Sequence, residues 1–287
     1  MIERPALRRI EVTKLPATIP SHQGAVVGLK LWRPRWFDGV ALVVGAAAPD
    51  AAYAVTGLPI DIRSHAWHAL GWFNLPLTVV VAVLIRRAAP YIVAHLPSGG
   101  RLAIRDYGVL ATVRHPVMVT VCSALLAALS HQLWDSITHP YLLIGHPFYG
   151  NGTYLTAMHA TAFAGLPWWR VIHLASELLG SAISIAVALR IGRRRLLVRW
   201  HGPAPIAPRR PLVFWPVAAA VWVALVAGAA ALPRNDLINV AGSRLLIAVT
   251  VAVLAAAATV RWLAGPAKSI LDDRRSHPAG VGNPIGD

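Results

Sequence analysis

Apolar residues in this chain come in blocks, and polar residues gather between them. Leu212–Leu232 and Leu245–Val260 contain no charged side chain. Similar blocks cover Ala66–Ile85, Val117–Leu133 and Leu178–Leu189, each with a few polar residues inside. A helix needs roughly 20 apolar residues to cross the hydrocarbon core of a bilayer. The pattern therefore predicts membrane-crossing helices. A further block, Val40–Val55, is broken by Pro49 and Asp50 and makes a poor plain span. Residues 16–50 predict a helical hairpin turning near Trp36 instead. His22 and Asp50 each lie fourteen residues from that turn. In an antiparallel pair of helices they would sit level with one another. The expected fold is an all-α, polytopic integral membrane helical bundle of about six membrane segments, the N-terminal hairpin included.

The connections have their own character. Segment 86–116 holds Pro90, Pro97, Gly99 and Gly100, and 101–113 within it suits a short interfacial helix. Segment 139–170 is rich in His, Gly and aromatics, with Trp168 and Trp169 suited to the headgroup level. Segment 193–211 is rich in Arg and Pro and reads as a loop. The tail after Gly265 has no apolar period and reads as disordered. The chain thus divides into a polar N-terminal segment (1–15), a metal-site membrane core (16–192), a basic cytoplasmic loop (193–211), a two-helix membrane scaffold (212–264) and a disordered tail (265–287).

Composition agrees: 56% of residues are hydrophobic and 14% charged, against about 25% charged in soluble domains. The net charge of +15 would suit nucleic acid, but the positions of the charges argue against it. With six spans and both termini on one side, that side receives 23 of the 27 Lys and Arg residues. The other keeps Arg63, Arg170, Arg234 and Arg244. The hairpin moves Arg4, Arg8, Arg9 and Lys14 across, leaving 19 against 8, with the same sign. Such asymmetry marks cytoplasmic loops beside anionic lipid. The expectation is a multi-pass membrane protein with a cytoplasmic C-terminus. Its partner is membrane lipid and not nucleic acid. The stretch through Lys14 lacks the apolar region of a signal peptide. The lone Cys122 excludes a disulfide within the chain.

Ionisable residues inside membrane segments are costly, about 2.5–3.5 kcal/mol at mid-bilayer, and cluster at functional sites. The candidates are Asp50, Asp135 and Glu177, together with several histidines. His131 and Asp135 are four apart, on one helix face, a chelating pair for a divalent metal. His139 continues the stripe, though roughly 12 Å from His131 along a regular helix. His173 and Glu177 repeat the four-residue spacing on the next span. Helices that each offer His plus carboxylate are how metal-binding bundles are built. His65 and His68 stand at the start of the second span, and Asp50 follows Pro49. His95, His115, His201 and His277 lie in basic loops and read as solvated. His146 and His159 are ordinary loop histidines by the same reasoning.

These residues carry a resemblance. Ser21-His22, Gly45 through Pro49-Asp50, Ser64-His65 leading to Phe73-Asn74-Leu75-Pro76, and above all Ser130-His131 through Trp134-Asp135-Ser136-Ile137-Thr138-His139 resemble bacterial membrane proteins of domain of unknown function 4184. The resemblance covers roughly residues 16–190. Asn74 stands where that pattern leads one to expect Asp. The His-x3-Asp…His element is also similar to that of membrane-bound metal-dependent hydrolases. More distantly it is similar to zinc-dependent phospholipase C and single-strand nucleases. This implies zinc-activated water attacking a phosphate ester, with a lipid phosphate as a fitting substrate. His22, Asp50, His65, His131, Asp135 and His139 are the expected ligands of Zn²⁺ or their supporting partners, and His173 and Glu177 the expected catalytic groups, as a general base or as ligands of a second ion. A metal- or proton-handling transporter and a non-catalytic scaffold remain the alternatives. A transporter would need polar residues continuing to the cytoplasmic side.

Overall fold

Residues 20–138 and 152–264 are described by a computed structural model of the chain. The expected disordered tail, the N-terminal polar segment, His139, His146 and His277 lie outside the described residues. The first elements are short: α1 (Gly24–Trp32), α2 (Gly39–Gly45) and α3 (Ala48–Ala51). A 3₁₀ turn (Ala52–Val55) follows. Helix α4 (Leu75–His95) begins from a π-helical turn at Leu70–Asn74. After a 3₁₀ segment (Ile104–Ala111) come α5 (Val117–Thr138) and α6 (Gly152–His159). A small antiparallel hairpin of β1 (Thr161–Phe163) and β2 (Leu166–Pro167) leads into α7 (Trp168–Arg193). Then follow α8 (Leu196–His201), α9 (Pro211–Ala230) and α10 (Ile238–Ala264).

Five of these helices are long and apolar enough to cross a membrane: α4 with its π turn, α5, α7, α9 and α10. Their outward faces carry large apolar side chains, among them Leu126, Leu133, Leu178, Leu179, Trp215 and Val223. That pattern suits lipid, since in water an apolar face of this extent would need a partner. The chain is a helical, multi-pass membrane protein.

The N-terminal hairpin supplies the sixth segment, but it does not cross. At 1.5 Å per residue the nine residues of α1 reach only about 13 Å. It enters the bundle and turns back. Lys30 makes the turn by donating from Nζ to the carbonyls of Pro34 (2.6 Å) and Phe37 (2.9 Å). Asp38 caps α2, accepting from the amides of Val40 and Ala41. Its other oxygen takes Thr120 of α5 (2.7 Å) and the guanidinium of Arg86 of α4. One buried carboxylate thus ties the turn to two spans.

Glycines set how close the hairpin lies. A Cβ on Gly24 would stand 2.4 Å from the carbonyl oxygen of Gly180 in α7, and one on Gly45 would stand 2.8 Å from that of Ala124 in α5. Small residues at such crossings let membrane helices pack backbone to backbone. Facing Gly45, α5 presents a buried stripe of Ala124, Ala127, Ala128, His131 and Asp135. Recurrence at three and four residues puts them on one face.

Four readings are corrected. Helix α4 runs through Pro90 to His95, so the connection begins later than residue 86. His95 is buried, stacked on Phe214 at 4.3 Å, with its Nε2 accepting from the Arg210 amide (2.8 Å). The 193–211 loop contains the short helix α8. Arg244, expected in an outer loop, lies inside α10 and is buried. It donates to the carbonyls of Ala54, Thr56 and Pro233 and to Asn235 Oδ1.

Candidate metal centre

Asp50, His65, His131 and Asp135 converge from three directions. Asp50 sits on α3, where Pro49 suits the first turn by needing no amide partner. Its carbonyl accepts from Ser243 of α10 (3.0 Å), so the two-helix scaffold braces the site. His65 lies in the segment before α4. The Ser64 carbonyl beside it accepts from both Asn74 Nδ2 and Gln132 Nε2, each at 3.0 Å, fixing that segment to the π turn ahead of α4 and to α5. His131 and Asp135 come from the buried stripe of α5.

His131 stands at the middle of the cluster. Its Nδ1 is 2.7 Å from the carbonyl oxygen of Ala46. A carbonyl only accepts, so Nδ1 carries the proton, and in the neutral ring Nε2 presents a lone pair. That lone pair faces Asp135 Oδ2 (3.2 Å), Asp50 Oδ1 (3.4 Å) and His65 Nε2 (3.3 Å). His65 Nε2 is in turn 3.3 Å from Asp135 Oδ2 and 3.6 Å from Asp50 Oδ1. Four potential ligand atoms thus lie within 4.8 Å of one another. Ligands at 2.0–2.1 Å on the corners of a tetrahedron around zinc would be about 3.3 Å apart. The five separations just given, 3.2 to 3.6 Å, match that spacing. A backbone carbonyl on the far nitrogen of a ligating histidine is also the usual support for such a ligand. The donor set fits a divalent ion.

His22 lies against this group. Its ring stacks on His131 with centroids 3.9 Å apart, and its Nε2 is 3.4 Å from Asp135 Oδ1. Asp135 therefore turns one oxygen to the His65–His131 pair and the other to His22. The hairpin brings His22 and Asp50 to the same centre, as their equal distances from its turn anticipate. Next to His22, Ser21 donates to Glu177 Oε1 on α7 (2.9 Å). One turn earlier on the same helix, His173 is buried. Neither Glu177 nor His173 belongs to the four-residue group. His68 is exposed to the outside of the bundle. Burial opposes charge on His65, yet its bonds to Asp135 and Asp50 prevail and raise its pKa above the usual histidine value.

Sequence reasoning passed over two supports, Gln132 and Ser243. Gln132 precedes a Leu-Trp pair and carries no periodic signal beyond its place one residue from His131. Ser243 stands in a helix taken for plain scaffold.

The profile of the family described as Domain of unknown function (DUF4184) matches residues 15–264. The chain belongs to this family. The match takes in α9 and α10 as well as the core, which accords with Ser243 reaching Asp50. No curated protein and no solved structure matches the chain.

Proposed function

We propose that this protein is a membrane-embedded, metal-dependent hydrolase acting on a phosphate ester or other lipid-borne ester. The observation that carries the reading is the His131 arrangement. Its Nδ1 is committed to the Ala46 carbonyl, and its Nε2 points at three further donors at zinc-like spacing. A divalent ion there, with Zn²⁺ the best fit to the donors, would supply a Lewis acid to activate water and polarise a phosphoryl oxygen. Asp50, His65, His131 and Asp135 would hold it, and His22 would orient Asp135. Glu177, partnered by the Ser21 hydroxyl next to His22, and His173, one turn earlier on α7, would take or deliver a proton.

One feature of α5 favours hydrolysis over transport. From His131 to Ser123 its buried face carries only alanines, Ala124, Ala127 and Ala128, over roughly 12 Å. Polar residues do not continue along it from the centre, as an ion pathway would need. The protein as isolated in detergent is expected to contain about one divalent ion per chain by elemental analysis, and His131→Ala to contain none. Equal, negligible metal in both would refute the reading.

The proposed orientation puts the metal centre at the outer level of a bacterial inner membrane and the arginine-rich ends of α4 and α7 in the cytoplasm. In a Cys122→Ser background, a cysteine at exposed Thr161 is expected to react with an impermeant thiol reagent on intact cells, and one at exposed Arg209 to stay unlabelled. Labelling at Arg209 would reverse the orientation.

A further inference from the structure

A cleft of about 390 Å³ lies on the other side of the Gly24–Gly180 crossing, between the hairpin and α7. Its walls are apolar along most of their length, from Val27, Val43, Val187 and Ile191. Between Gln23 and Lys30 it runs roughly 10 Å along α1. That is about two thirds of one leaflet's hydrocarbon depth. One end is different in kind: there Lys30, Asp38, Arg86, His115 and His201 meet. Arg86 is neutralised by Asp38, which leaves the Lys30 ammonium as excess charge. Two of its N–H groups hold Pro34 and Phe37, and His115 Nε2 lies 3.5 Å from the same ammonium.

We propose that this cleft is a binding site for one anionic phospholipid, with an acyl chain along the apolar walls and the phosphate against Lys30, His115 and His201. Charge complementarity selects the occupant. An uncharged chain would leave the ammonium uncompensated, and a free anion would leave the apolar walls unfilled. The histidines bear the same mark. Burial and then the Lys30 ammonium hold His115 below the usual histidine range, and burial, Lys30 and His115 hold His201 down at about 4. Both rings are therefore neutral near pH 7 and offer N–H groups, not added charge. The Trp200 ring lies 5.7 Å from Lys30 Nζ, on the same side as the proposed headgroup, where tryptophan suits the membrane interface. The proposal does not rest on the metal centre.

The test is native mass spectrometry of the full chain released from nanodiscs of phosphatidylcholine, with or without phosphatidylglycerol, and of delipidated protein given inorganic phosphate. One retained phosphatidylglycerol per chain is expected, favoured over phosphatidylcholine by about fivefold for one net cation. Val187→Trp fills the apolar wall from α7 and is expected to abolish retention while metal content stays at the wild-type level. Lys30→Gln is expected to remove the preference between the two lipids. Equal retention of both lipids by wild type, retention surviving Val187→Trp, or phosphate binding as tightly as the lipid would each overturn the proposal.

Discussion

Asp135→Asn is expected to strip the metal while the bundle still inserts and folds. Asp135 Oδ2 faces both His65 and His131, and Oδ1 faces His22. Asparagine keeps the volume and one acceptor oxygen, but its amide nitrogen cannot ligate, and the charge that balances the cation is gone. Stability alone does not separate the readings. In a metal-free network of two carboxylates and two imidazoliums, removal of one carboxylate would be relieved by deprotonation of a histidine. Metal linkage does separate them. An ion bound only by the folded state, at a thousand times its dissociation constant, stabilises by about 4 kcal/mol. Chelation should therefore lower the melting temperature of wild type to near that of Asp135→Asn and leave the variant unmoved. A wild-type melting temperature indifferent to chelator, with no bound metal, would sink the hydrolase proposal.

Much of this centre was legible because its spacings are local. His131 and Asp135 share a helix face by a four-residue step. His22 and Asp50 are matched by their equal distance from a turn. What was not legible depends on partners far along the chain. Asp38 stands in the sequence only as a residue of the hairpin turn, and only the fold sets it against Arg86, 48 residues on, and Thr120, 82 residues on. His95 reads as a loop histidine because Pro90 suggests a helix end. Inside the bundle, neighbouring helices can satisfy what a proline frees, and α4 continues. His115 and His201 read as solvated for the same lack of local signal, and they meet only where the 3₁₀ segment, α8 and the hairpin close on one another, their rings 6.2 Å apart. Asn74 had an expected Asp against it. The structure gives a reason for the amide at this position, since a carboxylate could not donate to the Ser64 carbonyl.

The hairpin should fail as a unit when its tie is cut. Asp38→Ala removes the α2 cap, worth about 1 kcal/mol, and leaves Arg86 without its carboxylate in the bundle. Breaking one side of a buried ion pair costs about 3–5 kcal/mol. A loss of that size is expected in detergent melting. It should be accompanied by loss of metal, although Asp38 touches none of the four ligands, because the hairpin carries Asp50 and His22 to the centre. Asp38→Asn retains an oxygen for the Val40 and Ala41 amides and should lose less. The decisive variant is the double substitution Asp38→Ala with Arg86→Met. Replacing a whole buried pair by apolar groups is often close to neutral, so the second change should restore most of the stability and the metal. If the double variant is no better than Asp38→Ala, the hairpin is held by the Gly24–Gly180 and Gly45–Ala124 contacts and not by charge. If Asp38→Ala is as stable and as metal-loaded as wild type, Asp38 is no more than a cap.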